Sequence, residues 1–183
     1  MLSRRSVLLL TLALGPGLLA FSAVPAAAAD PISVEAAPGG PILGSTPATV
    51  TLQLSPEAAR AIRKLPDKAT EGPAVRLSIQ GVKAPAGTSI HVFVNLPGAT
   101  ADATVNDAHY VGNINSFEDP APGSAGDDVL FDSGPALRRL KKAERLLPGD
   151  TLAVTLVVLP GSAPADASIP VDKVVLSITP QGR

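Results

Sequence analysis

The sequence predicts a single all-β domain, an antiparallel β-sandwich with one or two short helices on the connections. Two observations support this fold class. Short apolar runs with the two-residue alternation of half-buried strands recur along the chain, separated by turns rich in Pro and Gly. Two other segments have the apolar spacing of short helices, and both lie between strand-like runs. Because aromatic residues make up only 3% of the chain, we expect a core of Val, Ile, Leu and Ala.

The first 29 residues have the features of an export signal. Arg4 and Arg5 precede an apolar run over residues 7–20, which is too short to span a bilayer comfortably. Small residues at Ala27–Ala29 predict signal cleavage near Ala29. The arginine pair favours a twin-arginine signal, with a plain secretory signal as the alternative. We therefore expect an exported protein, periplasmic or extracellular, with no membrane span after signal removal.

Residues 30–47 are rich in Pro, Gly and Ala and predict an extended arm with little to bury. We expect regular structure to begin at Ala48 and the sandwich domain to cover residues 48–183. The predicted strands cover residues 49–54, 75–79, 89–94, 108–114, 128–131, 152–159 and 171–178. Gly81 is expected to end the second of these. The run over residues 152–159 is almost wholly apolar and predicts a central strand, whereas the loop over residues 119–127 should lie on the surface.

Ser55 and Pro56 predict the start of the first helix, with serine as N-cap and proline at the first helical position. Pro66 should stop this helix. Its expected buried stripe consists of Ala58, Ala59, Ile62 and Leu65.

The second helix is predicted over residues 136–147. Leu137, Leu140 and Leu147 can share a buried face. The opposite face should carry the basic residues Arg138, Arg139, Lys141 and Lys142. Two interpretations are open for this basic face: a solvated surface beside the buried stripe, or a docking surface for an acidic partner.

Charge and cysteine content limit the possible partners and compartments. The formal net charge is −1, so the sequence has no excess of positive charge that would favour nucleic acid or anionic lipid as a partner. The chain has no cysteine, which excludes a lipoprotein and means that disulfides cannot stabilise the domain. Stability must come from packing.

Few residues suggest chemistry. His91 and His109 are weak metal-ligand candidates, because two histidines and Asp107 could bind one ion if their strands pair in register. The alternative is that each imidazole lies at a sheet surface or bonds within a turn. A further group of carboxylates could chelate calcium, although their neighbours Gly and Pro favour a role as turn formers. These are Glu118, Asp119, Asp127, Asp128 and Asp132. No nucleophile motif is present, so we predict no catalytic residue, no cofactor and no enzyme.

Two neighbouring strands carry a resemblance to a known family. Ile90–Asn95, IHVFVN, and His109–Ile114, HYVGNI, with Phe117 close behind, resemble strands of the C-terminal β-domain of tyrosinases and polyphenol oxidases. The family patterns are F-x-V-F-V-N and, after a variable loop, E-F-A-G-S-F or H-Y-V-G-x-I. Val75–Ile79 and Leu152–Val157 are similar in character to that domain's other strands.

The matched residues also have structural interpretations. We expect Val92, Val94, Tyr110 and Ile114 to pack in the sandwich core. Gly112, inside a strand, predicts a bulge or a close backbone approach.

The resemblance implies an accessory domain without its catalytic half. The family's catalytic domain holds two copper ions with three histidines each, whereas this chain has two histidines in total. The implied function is a non-catalytic lid or helper for a partner, a tyrosinase-like copper oxidase. Tyr110 and Phe117 are the candidates for partner contact, since family covers insert a bulky side chain into the active-site mouth. The alternative is a general envelope or extracellular binding or structural module with no oxidase partner.

Overall fold

A computed structural model describes residues 30–36, 40–68, 72–146 and 149–180. The export signal predicted over residues 1–29 lies outside these ranges, as does Leu147. The strands, in chain order, are β1 (Ile32–Glu35), β2 (Ile42–Leu43), β3 (Ala48–Gln53), β4 (Ala74–Val82), β5 (Ser89–Val94), β6 (Tyr110–Asn115), β7 (Asp127–Asp132), β8 (Thr151–Val158), β9 (Ile169–Pro170) and β10 (Lys173–Thr179). Helix α1 (Pro56–Arg63) lies between β3 and β4, and α2 (Gly134–Lys142) lies between β7 and β8.

The fold is an antiparallel β-sandwich, as predicted. The first sheet has the strand order β1-β10-β4-β7, the second sheet has the order β3-β8-β5-β6, and β2 and β9 form a two-stranded ribbon. Alternate residues of both sheets point inward and form one aliphatic core. Its largest fully buried members on the strands include Leu77, Ile79, Ile90, Leu152 and Leu156. The almost wholly apolar strand β8 lies between β3 and β5, which confirms its predicted central position.

The first helix confirms its sequence prediction. The Ser55 hydroxyl oxygen accepts a hydrogen bond from the backbone N–H of Ala58 at 3.1 Å, and proline follows at the first helical position. The residues of the expected stripe are all fully buried: Ala58, Ala59, Ile62 and Leu65. This helix therefore closes part of the sandwich core with the face that the sequence predicts.

The second helix differs from its prediction in its bounds and in one basic residue. It begins at Gly134 and ends at Lys142, because the chain reverses at Glu144 in a left-handed conformation. Leu137 and Leu140 are buried as expected. The prediction that Arg138 faces solvent is wrong, since only 8% of it is exposed. Its guanidinium lies over Gly134, where an added Cβ would be 3.1 Å from Nη2, so the missing side chain makes room for it.

The segment before Ala48 contributes to the sandwich, so the expectation that it has little to bury is wrong. Strand β1 pairs with β10 along four residues, and β2 pairs with β9. Val34 and Leu43 are 7% and 1% exposed and belong to the main core. The start of regular structure is thus Ile32 and not Ala48.

Two strand details also differ from expectation. Gly81 does not end β4, which runs to Val82 through a register shift at this glycine, whose φ is +66°. In β6 a second register shift lies opposite Val92 and Phe93. It turns Tyr110 to the outer face of the second sheet, opposite Phe93, while Val111 packs against the main core. The prediction that Tyr110 packs in the sandwich core is therefore wrong.

Candidate functional site

Phe117 is the most exposed large hydrophobic residue that the structure describes, with 85% of its surface accessible. It is the second residue after β6, and its neighbour Ser116 is buried. The Ser116 hydroxyl lies 2.9 Å from the carbonyl oxygens of Ala84 and Glu118, and its backbone N–H donates to Thr88 at 2.9 Å. These bonds hold the backbone under Phe117, so an apolar ring projects into solvent from a fixed base. The sequence analysis missed Ser116, because an isolated serine after a strand gives no specific signal.

The surface around Phe117 combines apolar and acidic groups. A cavity of about 470 Å³ lies beside the ring, with Val82 and Ala84 among its apolar walls and Glu118 and Asp127 among its acidic ones. We call these five residues the Phe117 surface. An exposed aromatic ring beside a concave, partly apolar area is a feature of protein contact sites.

Tyr110 is less accessible than Phe117. Its ring makes edge-on contacts with the rings of His91 and Phe93, at centroid distances of 5.4 and 5.7 Å. Its hydroxyl donates to Asn113 at 3.3 Å. Partial burial raises the pKa of the Tyr110 phenol above its ordinary value. These contacts fix Tyr110 as part of a small cluster on the outer face of the second sheet.

The structure does not bring His91 and His109 together. His91 lies opposite Asn113, whereas His109 precedes β6 and its Nδ1 donates to the carbonyl of Val94 at 2.8 Å. Val94 is three residues further along β5 than His91, a separation of roughly 10 Å along a strand. Asp107 accepts a hydrogen bond from the backbone N–H of His109 at 2.8 Å, so it shapes the turn before β6.

The acidic residues near the long loop accept backbone hydrogen bonds. Asp119 accepts from Ala86 and Asp128 accepts from Gly81, each at 2.9 Å. Asp132 accepts from Gly134 at 3.0 Å. This is the geometry that the turn-former interpretation predicts. Within the described ranges, no three His, Cys, Asp or Glu residues are grouped so that they could hold a metal ion.

The basic residues of α2 are divided among different environments. Arg139 donates to the backbone carbonyls of Ala108 and Tyr110, at 3.2 and 2.6 Å. Lys141 donates to the carbonyl of Leu65 at 2.6 Å. Arg138 is buried, Lys141 is half-buried, and only Arg139 and Lys142 are exposed, so the helix does not present the continuous basic face that the sequence predicts.

Neither helix has the length and apolar character needed to cross a bilayer, and the described part of the chain contains no other candidate.

The fold is shared with a part of polyphenol oxidases for which structures are known. Recombinant latent aurone synthase, a polyphenol oxidase, superposes with a TM-score of 0.53 at 16% sequence identity, and the match covers 78% of this chain and 26% of that chain. Latent aurone synthase from its natural source gives a TM-score of 0.51 at 17% identity with the same coverage. The chain thus spans about a quarter of the length of these proteins. No protein-family profile and no curated protein matches the sequence.

These comparisons confirm the predicted resemblance at the level of the fold. The matched quarter is consistent with one C-terminal domain of a polyphenol oxidase chain. At this identity the likeness extends to the fold alone, and function has to be argued from the residues of this chain.

Proposed function

We propose that the chain is a non-catalytic accessory β-sandwich that acts as a lid or helper for a partner copper oxidase. The observation that carries the proposal is the fold, which corresponds to about a quarter of a latent polyphenol oxidase. The residue content supports it: two histidines cannot supply the three ligands per copper that the resembled enzymes need. The oxidase activity therefore belongs to a partner polypeptide or domain.

The contact with the oxidase is made by the Phe117 surface. Phe117 is 85% exposed and its backbone is held by Ser116, so little conformational freedom is lost when the ring enters an apolar recess. Tyr110 is a poor candidate for the same role, because its ring is engaged by His91 and Phe93. Glu118 and Asp127 favour a partner surface with basic residues around that recess.

The test is a reconstitution with a tyrosinase-like copper oxidase of the same organism, and an oxidase gene beside the gene for this chain would be the first candidate. Residues 30–183 are mixed with the purified oxidase, complex formation is followed by size-exclusion chromatography, and phenol oxidation is measured with and without the chain. We expect co-elution and a change in oxidase activity that saturates at one equivalent. If no complex forms and the oxidase activity is unchanged, the helper function is rejected. The alternative, a general envelope or extracellular binding or structural module, then remains.

We further propose that the chain is exported by the signal over residues 1–29. The paired arginines give a specific test, because twin-arginine signals require both, whereas a plain secretory signal needs only positive charge. Replacing Arg4 and Arg5 together by Lys should abolish export while Lys64→Arg, a matched charge-conserving control in the domain, leaves it intact. Export that survives the double replacement would assign the plain secretory signal, and retention of the wild type in the cytoplasm would reject export.

A further inference from the structure

A second cavity lies on the outer face of the second sheet and is separate from the Phe117 surface. Its volume is about 570 Å³. The floor consists of β3 and β8, and the walls are the chain after β5 and the turn after α2. The lining residues that matter for its chemistry are Asn95, Leu96, His109, Glu144, Arg145 and Ala153.

Two unusual backbone conformations meet at this cavity. Asn95 and Glu144, with φ of 54° and 57°, are the non-glycine residues with positive φ in the described ranges, and both line the cavity. The left-handed conformation costs a residue with a side chain about 1–2 kcal/mol, and asparagine tolerates it better than glutamate. Such strain is concentrated at functional sites.

Asn95 has a structural reason for its conformation. Its side-chain amide donates to the carbonyl of Leu146, and its side-chain oxygen accepts from the backbone N–H of Ala153 at 3.1 Å. Asn95 therefore joins the turn after α2 to strand β8. This fixes two walls of the cavity relative to each other.

Glu144 has its left-handed conformation because it is the residue at which the chain leaves α2. The turn at the end of α2 is closed by backbone bonds alone, from Glu144 N–H to Lys141 and from Arg145 N–H to Leu140, at 3.1 and 2.9 Å. Glycine is the preferred residue at this position of the motif. The exposed Glu144 carboxylate makes none of the described hydrogen bonds or ion pairs, so its charge is available to a ligand.

His109 adds an imidazole whose Nδ1 contact assigns the tautomer of the neutral ring. The residue is 94% buried, and its Nδ1 lies 2.8 Å from the carbonyl oxygen of Val94. Because a carbonyl oxygen can only accept, the proton of the neutral ring is on Nδ1 and Nε2 is an acceptor. The cavity thus combines a carboxylate, a guanidinium at Arg145 and an imidazole acceptor with apolar walls at Leu96 and Ala153.

We propose that this cavity binds a free α-amino acid with an apolar side chain. The ammonium group of the ligand pairs with the carboxylate of Glu144 and donates to Nε2 of His109. Its carboxylate pairs with the guanidinium of Arg145, and its side chain packs on Leu96 and Ala153. A free amino acid fits better than a peptide end, because a peptide terminus carries only one of the two charges.

The proposal is tested by titrating isotope-labelled protein, residues 30–183, with L-leucine and following backbone amide signals. We expect saturable shifts at Ala153, Arg145 and His109 with a dissociation constant on the order of 1 mM. Isocaproate, which lacks the ammonium group, and isoamylamine, which lacks the carboxylate, should each bind at least about tenfold more weakly, the change expected when one charge pair is lost.

Variants at Glu144 separate binding from folding. Glu144→Gly should raise Tm, because it relieves the left-handed strain, and weaken binding at least about tenfold. Glu144→Gln keeps the strain and should weaken binding to the same extent. Asp166→Asn, which removes an exposed carboxylate from the loop after β8, should change neither Tm nor binding. No saturable shift up to about 10 mM L-leucine, or shifts that persist in both Glu144 variants, would overturn the proposal.

Discussion

The titration of Tyr110 reports on burial at the outer face of the second sheet. Its phenol is partly desolvated against His91 and Phe93, and this raises its pKa above the ordinary value of 10.0. The folded state therefore holds the phenolic proton more tightly than the unfolded state does. This contribution to stability is complete below the unfolded pKa and is lost as the pH rises through the folded pKa.

The Tyr110 titration can be read without interference, because the chain has one tyrosine and no tryptophan. We expect the near-ultraviolet phenolate absorbance of the folded protein to appear at higher pH than that of the protein in denaturant. The free energy of unfolding should fall over the same interval, and Tyr110→Phe should remove this fall. Coincident titration in the folded and denatured protein would contradict the assigned burial.

Gly112 should not tolerate a side chain, because an added Cβ would lie 2.7 Å from the Phe131 ring. We expect Gly112→Ala to lower the free energy of unfolding by about 1–3 kcal/mol, measured by urea denaturation. In a Phe131→Leu background the same change should cost less, since the clash is removed. Gly98→Ala is the control, because its added Cβ meets no atom within 4 Å. Equal losses for both glycines would disprove the packing explanation.

At the residue scale, the sequence predicted features with a local cause. Gly112 was expected to mark a bulge or a close approach, and the structure has both. The side of the sheet on which Tyr110 lies was not predictable, since a one-residue register shift reverses it. The burial of Arg138 depends on the empty space at Gly134, which hydrophobic periodicity does not report.

At the scale of elements, adjacent residues of β2 provide a matched test of the segment before Ala48. Leu43 is 1% exposed and belongs to the core, whereas its neighbour Ile42 is 69% exposed. Leu43→Ala should lower the free energy of unfolding by about 2–5 kcal/mol, through lost burial and a cavity. Ile42→Ala should change it by less than about 1 kcal/mol. If both variants are as stable as the wild type by chemical denaturation, the segment does not belong to the sandwich.

Elements with strong local patterns were predicted closely. Strand β5 has the predicted bounds, and α1 begins at Pro56 after the Ser55 cap. Strands β1 and β2 were missed because they are short and gain their stability from pairing with β10 and β9, far along the chain. The end of α2 was misplaced because its left-handed residue is a glutamate, and the sequence shows no glycine there.

At the scale of the whole molecule, the sandwich supports two surfaces of different chemistry. The Phe117 surface presents an exposed ring with acidic neighbours, and the cavity at Glu144 and His109 presents a carboxylate, a guanidinium and an imidazole. The sequence indicated Phe117 because this residue follows the strand His109–Ile114, which resembles a strand of the known family. They could not point to the cavity, because its lining residues come from separate segments and Glu144 is distinguished only by its backbone conformation.

The most direct test of the proposed accessory function is the affinity for the proposed partner, a tyrosinase-like copper oxidase, measured by calorimetric titration of wild type, Phe117→Ala and Ile42→Ala. Both residues are exposed large hydrophobics, so neither change should unfold the protein. We predict that Phe117→Ala weakens binding by about tenfold or more, as expected for a buried aromatic anchor, while Ile42→Ala binds like wild type. Equal affinity of Phe117→Ala and wild type, or no binding of the wild type, would contradict the account.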